Sequence, residues 1–318
     1  MTTCVVFGGA GFIGRHLLRH LAGTGRDVVC VDVPAARPAG LPQGCSFAPA
    51  DEAEAGYAGV LRRADEIVDL AYASVPKTSF DDPIADITEN LPRAVRLYRA
   101  ALAAGVKRMV VLSSGGAVYG QPQELPITED HPTDPISPYG ITKLAVEKYA
   151  LMFHASDGLP VICLRPGNAY GEGQPPFRGQ GFVATAVASV LTGRTVEVYG
   201  RTGSIRDYVH VSDICAAVTA ALTAGRPGAI YNVGTGVGTS NVAILDLLGG
   251  LAAAEDLQID VVNHPPRPFD VSASILDPGR LQRETGWRPT VPLELGLPAA
   301  WEWYATHRTE WSGGPEAR

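Results

Sequence analysis

The chain has 318 residues, 46% of them hydrophobic, and a formal net charge of −7. That length permits one large domain or two closely joined ones, and the composition excludes a disordered chain. No lysine–arginine cluster marks a nucleic-acid surface, and no apolar run reaches the roughly eighteen residues that a membrane helix needs.

The N-terminus, MTTCVVFGGAGFIG, carries neither a basic leader nor a small-residue cleavage site and runs straight into a strand–turn–helix pattern. A cytoplasmic protein is the expectation. The five cysteines (Cys4, Cys30, Cys45, Cys163 and Cys215) form no CxxC pair and sit mostly in apolar runs. They read as reduced core residues, with neither a disulfide framework nor a metal site.

Short β-rich runs at 4–7, 28–31, 67–70, 109–112 and 161–165 alternate with helical patterns at 12–22, 92–104 and 138–156. The alternation predicts a parallel sheet covered by helices. Pro92 fits the first turn of its helix, where the missing N–H would have been an orphan anyway. Beyond Arg165 the texture changes. Residues 166–205 are rich in glycine and polar groups, and 207–211 returns to strand. Ser212 is placed to cap a helix reaching Leu222, and 230–233 is another strand. Thr239 and Ser240 open a further helix, and the tail from about 258 is proline-rich. The expected division is a first domain at 1–165, with elements returning near 206–235, and a smaller interleaved domain at 166–205 and 236–318.

The first strand feeds Gly8-Gly9-Ala10-Gly11-Phe12-Ile13-Gly14 and then an apolar-periodic helix. Of the glycines at 8, 11 and 14, one allows a sharp turn, one lets backbone approach a pyrophosphate, and one permits close helix–strand packing. The helix N-terminus at Phe12 and Ile13 adds free N–H groups and a positive dipole end. Asp32 closes the second strand. A carboxylate there accepts from ribose hydroxyls and repels a 2′-phosphate, so NAD is expected rather than NADP. Strand, glycine turn, helix and acid together predict a Rossmann-type, doubly wound α/β sheet.

Ser137-Pro138-Tyr139-Gly140-Ile141-Thr142-Lys143 is the strongest chemical signal. On a helix Tyr139 and Lys143 share one face. An ammonium beside a phenol favours the phenolate and makes the tyrosine a usable proton acceptor. The chain holds only Lys77, Lys107, Lys143 and Lys148, and one of these falls where the cofactor loop asks for it.

Taken together, GGAGFIG, Asp32, SSGGAVYG (113–120), SPYGITK and RPGNAYG (165–171) resemble the extended short-chain dehydrogenases/reductases, and within them the UDP-glucose/UDP-galactose 4-epimerases. The resemblance runs from residue 4 to about 305. It implies a cofactor set of Gly8, Gly11, Phe12, Ile13, Gly14, Asp32, Ser113, Tyr139 and Lys143. It adds Asp51 against the adenine, Ala71 and Tyr72 under the pyrophosphate, and Asn90 beginning the long interface helix. Asp69 stands where the family has histidine. For substrate it implies Asn168, Arg206 and Arg267 on the diphosphate, Ser74 and Thr78 on the sugar, and Ser274 as the residue that sets room for the sugar. Arginine suits a diphosphate because its planar fork donates several hydrogen bonds at once. His210, beside an aspartate in a strand, reads as structural.

One position departs from the pattern. Family enzymes carry a catalytic serine or threonine where this chain has Gly115, so Ser114 is the candidate replacement hydroxyl. The Asp-Glu pair of the 4,6-dehydratases is here Gly116 and Ala117, which disfavours dehydration. The implied reaction is C4 epimerisation of a nucleotide-activated hexose through a 4-keto intermediate. A 4-ketoreductase or dehydratase, and a non-catalytic NAD-binding protein, are the alternatives. The expected assembly is a homodimer through the helices around 92–104 and 138–156, using Leu91, Val95, Leu97, Leu102, Leu144, Tyr149 and Met152.

Overall fold

The computed structural model describes residues 1–38, 40–50, 57–266 and 270–311. Runs of buried β-branched and apolar residues build a seven-stranded parallel sheet. Its strands are β1 (Thr3–Phe7), β2 (Asp27–Asp32), β3 (Cys45–Pro49), β4 (Glu66–Asp69), β5 (Arg108–Leu112), β6 (Val161–Pro166) and β10 (Ile230–Val233). In space they run β3-β2-β1-β4-β5-β6-β10, so the chain reverses direction across the sheet between β1 and β4. In an open parallel sheet that reversal leaves a crevice at the carboxyl ends of the two strands.

Helix α1 (Phe12–Gly23) covers one face, burying Leu17, Leu18 and Leu21. The other face is covered by α2 (Tyr57–Leu61), α4 (Pro83–Ala104) and α6 (Pro138–Asp157), with the short helices α3 (Pro76–Asp81) and α5 (Gly115–Val118) at the crevice. The long α4 corrects the expected start at Pro92, which lies inside it. The helix begins at Pro83 because the Asp82 carboxylate caps it, accepting from the N–H groups of Ile84 and Ala85.

After β6 and the short β7 (Asn168–Tyr170) the chain leaves the sheet. Helix α7 (Phe182–Leu191), β8 (Val196–Tyr199) and β9 (Ile205–His210) follow. Helix α8 (Val211–Ala224) then returns to pack beside α1, and β10 completes the sheet. The cap of α8 is not Ser212 but His210, whose ring Nδ1 accepts from the Ser212 N–H at 3.3 Å. The remainder is β11 (Gly238–Ser240), α9 (Asn241–Ala254), β12 (Val261–His264), β13 (Ala273–Ser274), α10 (Gly279–Thr285), α11 (Leu293–Thr306) and α12 (Arg308–Trp311).

Strand β9 is flanked by β11 and β13 and also pairs with β7, while β12 pairs with β8. Tyr170, Val187, Val190, Tyr208, Ile244, Leu248, Trp301 and Tyr304 form a second core there, separate from those against the large sheet. Two buried aspartates sew the regions together. Asp207 accepts from the Thr235 N–H (2.8 Å), the Thr235 hydroxyl (2.6 Å), the Gly236 N–H (3.1 Å) and the Leu276 N–H (3.2 Å). Asp213 accepts from the Thr290 N–H, the Thr290 hydroxyl and the Val291 N–H at 2.8–3.0 Å.

Candidate active site

The crevice at the β1–β4 reversal is shaped by backbone. Gly8 has φ +75°, and a Cβ there would lie 2.7 Å from the Ala71 nitrogen. At Gly14 a Cβ would meet the Gly8 carbonyl oxygen at 2.4 Å. Only hydrogen at both positions lets β1, the start of α1 and the end of β4 converge. The N-cap of α1, Gly11, offers no side-chain cap, so the N–H groups of the first turn around Phe12 and Ile13 remain available to an anion. Asp32 is anchored beside this loop, Oδ2 accepting from the Ala10 N–H and Oδ1 from the Val33 N–H, both at 2.9 Å. A glycine cradle, an uncapped helix end and a fixed carboxylate at the second strand's tip fit the phosphates and ribose of a dinucleotide. Asp51 and Arg267 lie outside the described residues.

Across the crevice, the segment after β4 is held by two buried acids. Asp69 pairs with Arg93, whose Nη2 donates to both carboxylate oxygens at 3.0 Å and to the Ala71 carbonyl at 2.9 Å. Asp86 accepts hydrogen bonds from the hydroxyls of Ser74 and Tyr72. Asn90 sits within α4 rather than at its start. Its Oδ1 accepts from the Ala73 N–H (2.8 Å), and its Nδ2 donates to the Asp86 carbonyl (2.8 Å). Thr78 is exposed, and its hydroxyl accepts from the Val75 N–H at 3.0 Å, within α3's own opening turn.

Helix α6 presents the reactive face. Its N-cap, Ser137, accepts from the Gly140 N–H at 3.1 Å. A second cap carries no local sequence signal: the hydroxyl of Ser79, fully buried on α3, accepts from the Tyr139 N–H at 3.1 Å. Half-buried Tyr139 stands edge-on to Tyr72, ring centroids 5.1 Å apart. Burial pushes its phenol up to about 12, opposed by a hydrogen bond with the Ser114 side chain. Lys143 is buried, and desolvation brings its ammonium down to about 8 while Asp69 acts in the opposite sense. Its Nζ donates to the Leu112 carbonyl at 3.0 Å and lies 4.0 Å from the Tyr72 ring centroid. Deeper on α6, Glu147 pairs with Arg165 of β6 (Oε1–Nη2 2.5 Å, Oε2–Nε 3.0 Å), and both are buried.

Ser114 ends β5's extension in extended backbone, just ahead of α5, and its side chain reaches Tyr139. Buried Ser113 lies next to it, its hydroxyl without a hydrogen-bond partner among the described residues. Gly115 does not open space around a sugar. A Cβ there would meet Leu276 Cδ1 at 2.5 Å and the Arg165 carbonyl oxygen at 3.0 Å, so the place of a side chain is already filled. A Cβ on Gly116 would instead face Asn168, 3.4 Å from Oδ1. Half-buried Arg206 donates to the Ile205 carbonyl at 2.9 Å, and buried Ser274 is its register partner across β13 and β9. Asp207 staples Arg206's strand to the loops at 235–236 and 276. His210 caps α8 and faces Glu172, Nε2 to carboxylate 3.3 Å, in keeping with a structural part.

An α/β sheet with a glycine cradle at its reversal point, and a tyrosine–lysine helix beside it, defines a dinucleotide-dependent enzyme class. Residues 4–234 match the model of the NAD dependent epimerase/dehydratase family. The chain belongs to that family, and its cofactor is NAD. It is 37% identical over 311 residues to a UDP-glucose 4-epimerase of Mycolicibacterium smegmatis, covering 94% of this chain and 97% of that one. It is 33% identical to a dTDP-glucose 4,6-dehydratase of Streptomyces griseus, covering 98% and 97%. The fold matches the UDP-glucose 4-epimerase of Thermus thermophilus, solved with NAD, at TM-score 0.88 and 33% identity, over 96% of this chain and 100% of that one.

Proposed function

We propose that the chain inverts C4 of a nucleotide-activated hexose, a UDP-sugar first among them, and that NAD stays bound through the cycle. The observation that carries this reading is the meeting of Tyr139, Lys143 and Ser114 at the reversal-point crevice, with Gly116 and Ala117 in place of carboxylic acids. When bound, NAD supplies a reversible hydride acceptor. Tyr139, as phenolate, takes the proton of the C4 hydroxyl and gives it back at the end. Ser114 holds the reacting oxygen by a hydrogen bond, and the Lys143 ammonium lowers the cost of the phenolate. Asn168 and Arg206 serve the diphosphate. Gly116, Ala117 and Ser274 leave the sugar loosely held, so that the ketone can present its other face.

The dehydratase relative makes 4,6-dehydration the rival reading. That reaction needs a base for the C5 proton and an acid for the departing C6 hydroxyl. Position 116 faces Asn168, where a carboxylate would meet substrate, and glycine supplies nothing there. Incubating the enzyme with UDP-hexoses in deuterated water separates the readings. Epimerisation conserves mass and leaves C5 unlabelled without added cofactor. Loss of water with deuterium in the sugar would establish a dehydratase, net oxidation at C4 that reduces added NAD a ketoreductase running in reverse, and no turnover of any nucleotide sugar a binding protein.

In this reading the large sheet carries the cofactor and the β9 region carries the nucleotide. The assembly is a homodimer through α4 and α6, which pack side by side. Their outer faces expose Ile84, Ile87, Ile141, Tyr149 and Met152, whereas Leu97 belongs to the core. In a two-fold interface such a patch meets its own copy. Light scattering showing a monomer at micromolar concentration would rule this out. No helix among the described residues is long and apolar enough to cross a membrane, and all five cysteines are free, as suits the reducing cytoplasm.

A further inference from the structure

The geometry points to Tyr72 as a positioning residue that holds the Lys143 ammonium in place through the face of its ring. This inference rests on the reading of Tyr139 and Lys143 as the reacting pair. Lys143 Nζ lies 4.0 Å from the Tyr72 centroid but 5.9 Å from that of Tyr139. The ammonium is therefore seated on Tyr72 and only approaches Tyr139. It donates a hydrogen bond to the Leu112 carbonyl, which leaves further N–H groups directed elsewhere. A desolvated cation over an aromatic face is attracted by the ring quadrupole.

The ring is itself fixed from three sides. Its hydroxyl donates to Asp86 Oδ1 at 3.4 Å, and Thr142, one residue before Lys143, hydrogen-bonds it from α6. Its face towards Tyr139 is packed edge-on at 5.1 Å. Asp86 in turn is held by Ser74, and Asn90 fixes the strand of backbone between them. The charged groups acting on Lys143 are Asp69 at the end of β4 and Arg93 and Asp86 on α4, with Tyr72 and Tyr139 as the neighbouring phenols. Asp69 and Arg93 are paired with each other at 3.0 Å, so much of their opposite influence cancels at the ammonium. Beside the Leu112 carbonyl and the smaller influence of Asp86, the aromatic face is the contact that holds the ammonium.

Removing the ring while keeping apolar volume withdraws stabilisation from the charged lysine and leaves its desolvation in place. The ammonium should then lose its proton more easily. The test is a pH titration of the NAD-free protein labelled with 13C at lysine Cε. With only Lys77, Lys107, Lys143 and Lys148 in the chain, the Lys143 signal is assigned by its loss in Lys143→Met. In Tyr72→Leu, or Tyr72→Met should that variant not fold, the Lys143 pKa is expected to fall by about one unit, the scale of a desolvated cation–π contact. Tyr72→Phe, which keeps the ring and loses the hydroxyl, should restore most of the wild-type value. An unchanged Lys143 in both apolar variants would overturn the proposal. An equal fall in Tyr72→Phe would also overturn it, because the hydroxyl and Asp86 would then be the cause. The titration needs no substrate, so a failure of the epimerase reading leaves its outcome intact.

Discussion

The two walls of the crevice are built by different means. On the cofactor wall the shape comes from backbone, a short glycine-rich stretch against which the end of β4 closes. Gly8 and Gly14 bring a strand, a turn and a helix into contact, and Asp32 locks to the Ala10 N–H. On the opposite wall, side chains from distant parts of the chain are held by buried polar groups. Ser79 meets Tyr139, Asp207 gathers residues 235, 236 and 276, Leu276 fills the place beside Gly115, and Arg165 meets Glu147. A backbone cradle resists any added atom. A wall of pinned side chains can shift with a single substitution, and function on a shared fold is decided by such side chains.

The sharpest way to break the contrast is to unpin the catalytic helix from below. Glu147→Ala leaves Arg165 as a buried charge without its carboxylate partner, and such losses cost about 3–5 kcal/mol. Denaturant unfolding of the NAD-free protein should show a drop of that order. A loss below about 1 kcal/mol would mean that the helix is held by its packing alone. Next in size is Tyr139→Phe, expected to fold, retain NAD and lose about a hundredfold or more in turnover, the usual weight of a general base. Near wild-type turnover would take Tyr139 out of the reaction.

Gly115→Ser tests the distant wall from the other side. Adding the hydroxyl that the family resemblance leads one to expect there should not raise activity, because the new side chain meets Leu276 and the Arg165 carbonyl. It should instead cost about 1–3 kcal/mol of stability, as overpacking does. If Gly115→Ser is as stable as the parent and faster, Leu276 yields readily and Ser114 is not the substitute.

The same contrast explains what could be read in the sequence. The five expected strands of the large sheet, the glycine loop, Asp32 and the tyrosine–lysine helix are local patterns, and each element lies within a residue or two of its expected place. Structure and expectation part where a local rule has a competitor. Pro92 reads as a helix start, yet Asp82-Pro83 carries the stronger signal, a capping acid followed by proline. Ser212 reads as a cap, but the ring of His210 takes that role two residues earlier. The use of Gly115 was invisible, since Leu276 lies far along the chain and only folding brings it there. No local pattern marks Asp86 or Asp207 as a buried acceptor; the groups that donate to them are brought together by folding.

Ser79 gives the smallest effect and isolates the pinning mechanism. Nothing in TSFDD marks it in the sequence, yet it is fully buried, donates to the Pro76 carbonyl at 2.9 Å and accepts from the Tyr139 N–H at 3.1 Å. That N–H is one of the orphan donors of α6's first turn, and the Ser137 cap is already engaged with Gly140. Ser79→Ala removes the acceptor and leaves a donor unsatisfied, which costs about 1 kcal/mol of stability on the usual scale. The stability loss alone would follow from any buried hydrogen bond. The telling readout is kinetic. If α3 positions Tyr139 through this bond, kcat falls several-fold while KM and NAD retention hold, because the phenol drifts without any change in the cofactor wall. Equal falls in NAD retention and kcat would mean that α3 supports the whole crevice. An unchanged kcat beside the expected stability loss would show that the Ser137 cap alone fixes the tyrosine, and the distant wall would then be less dependent on long-range pins than its contacts imply.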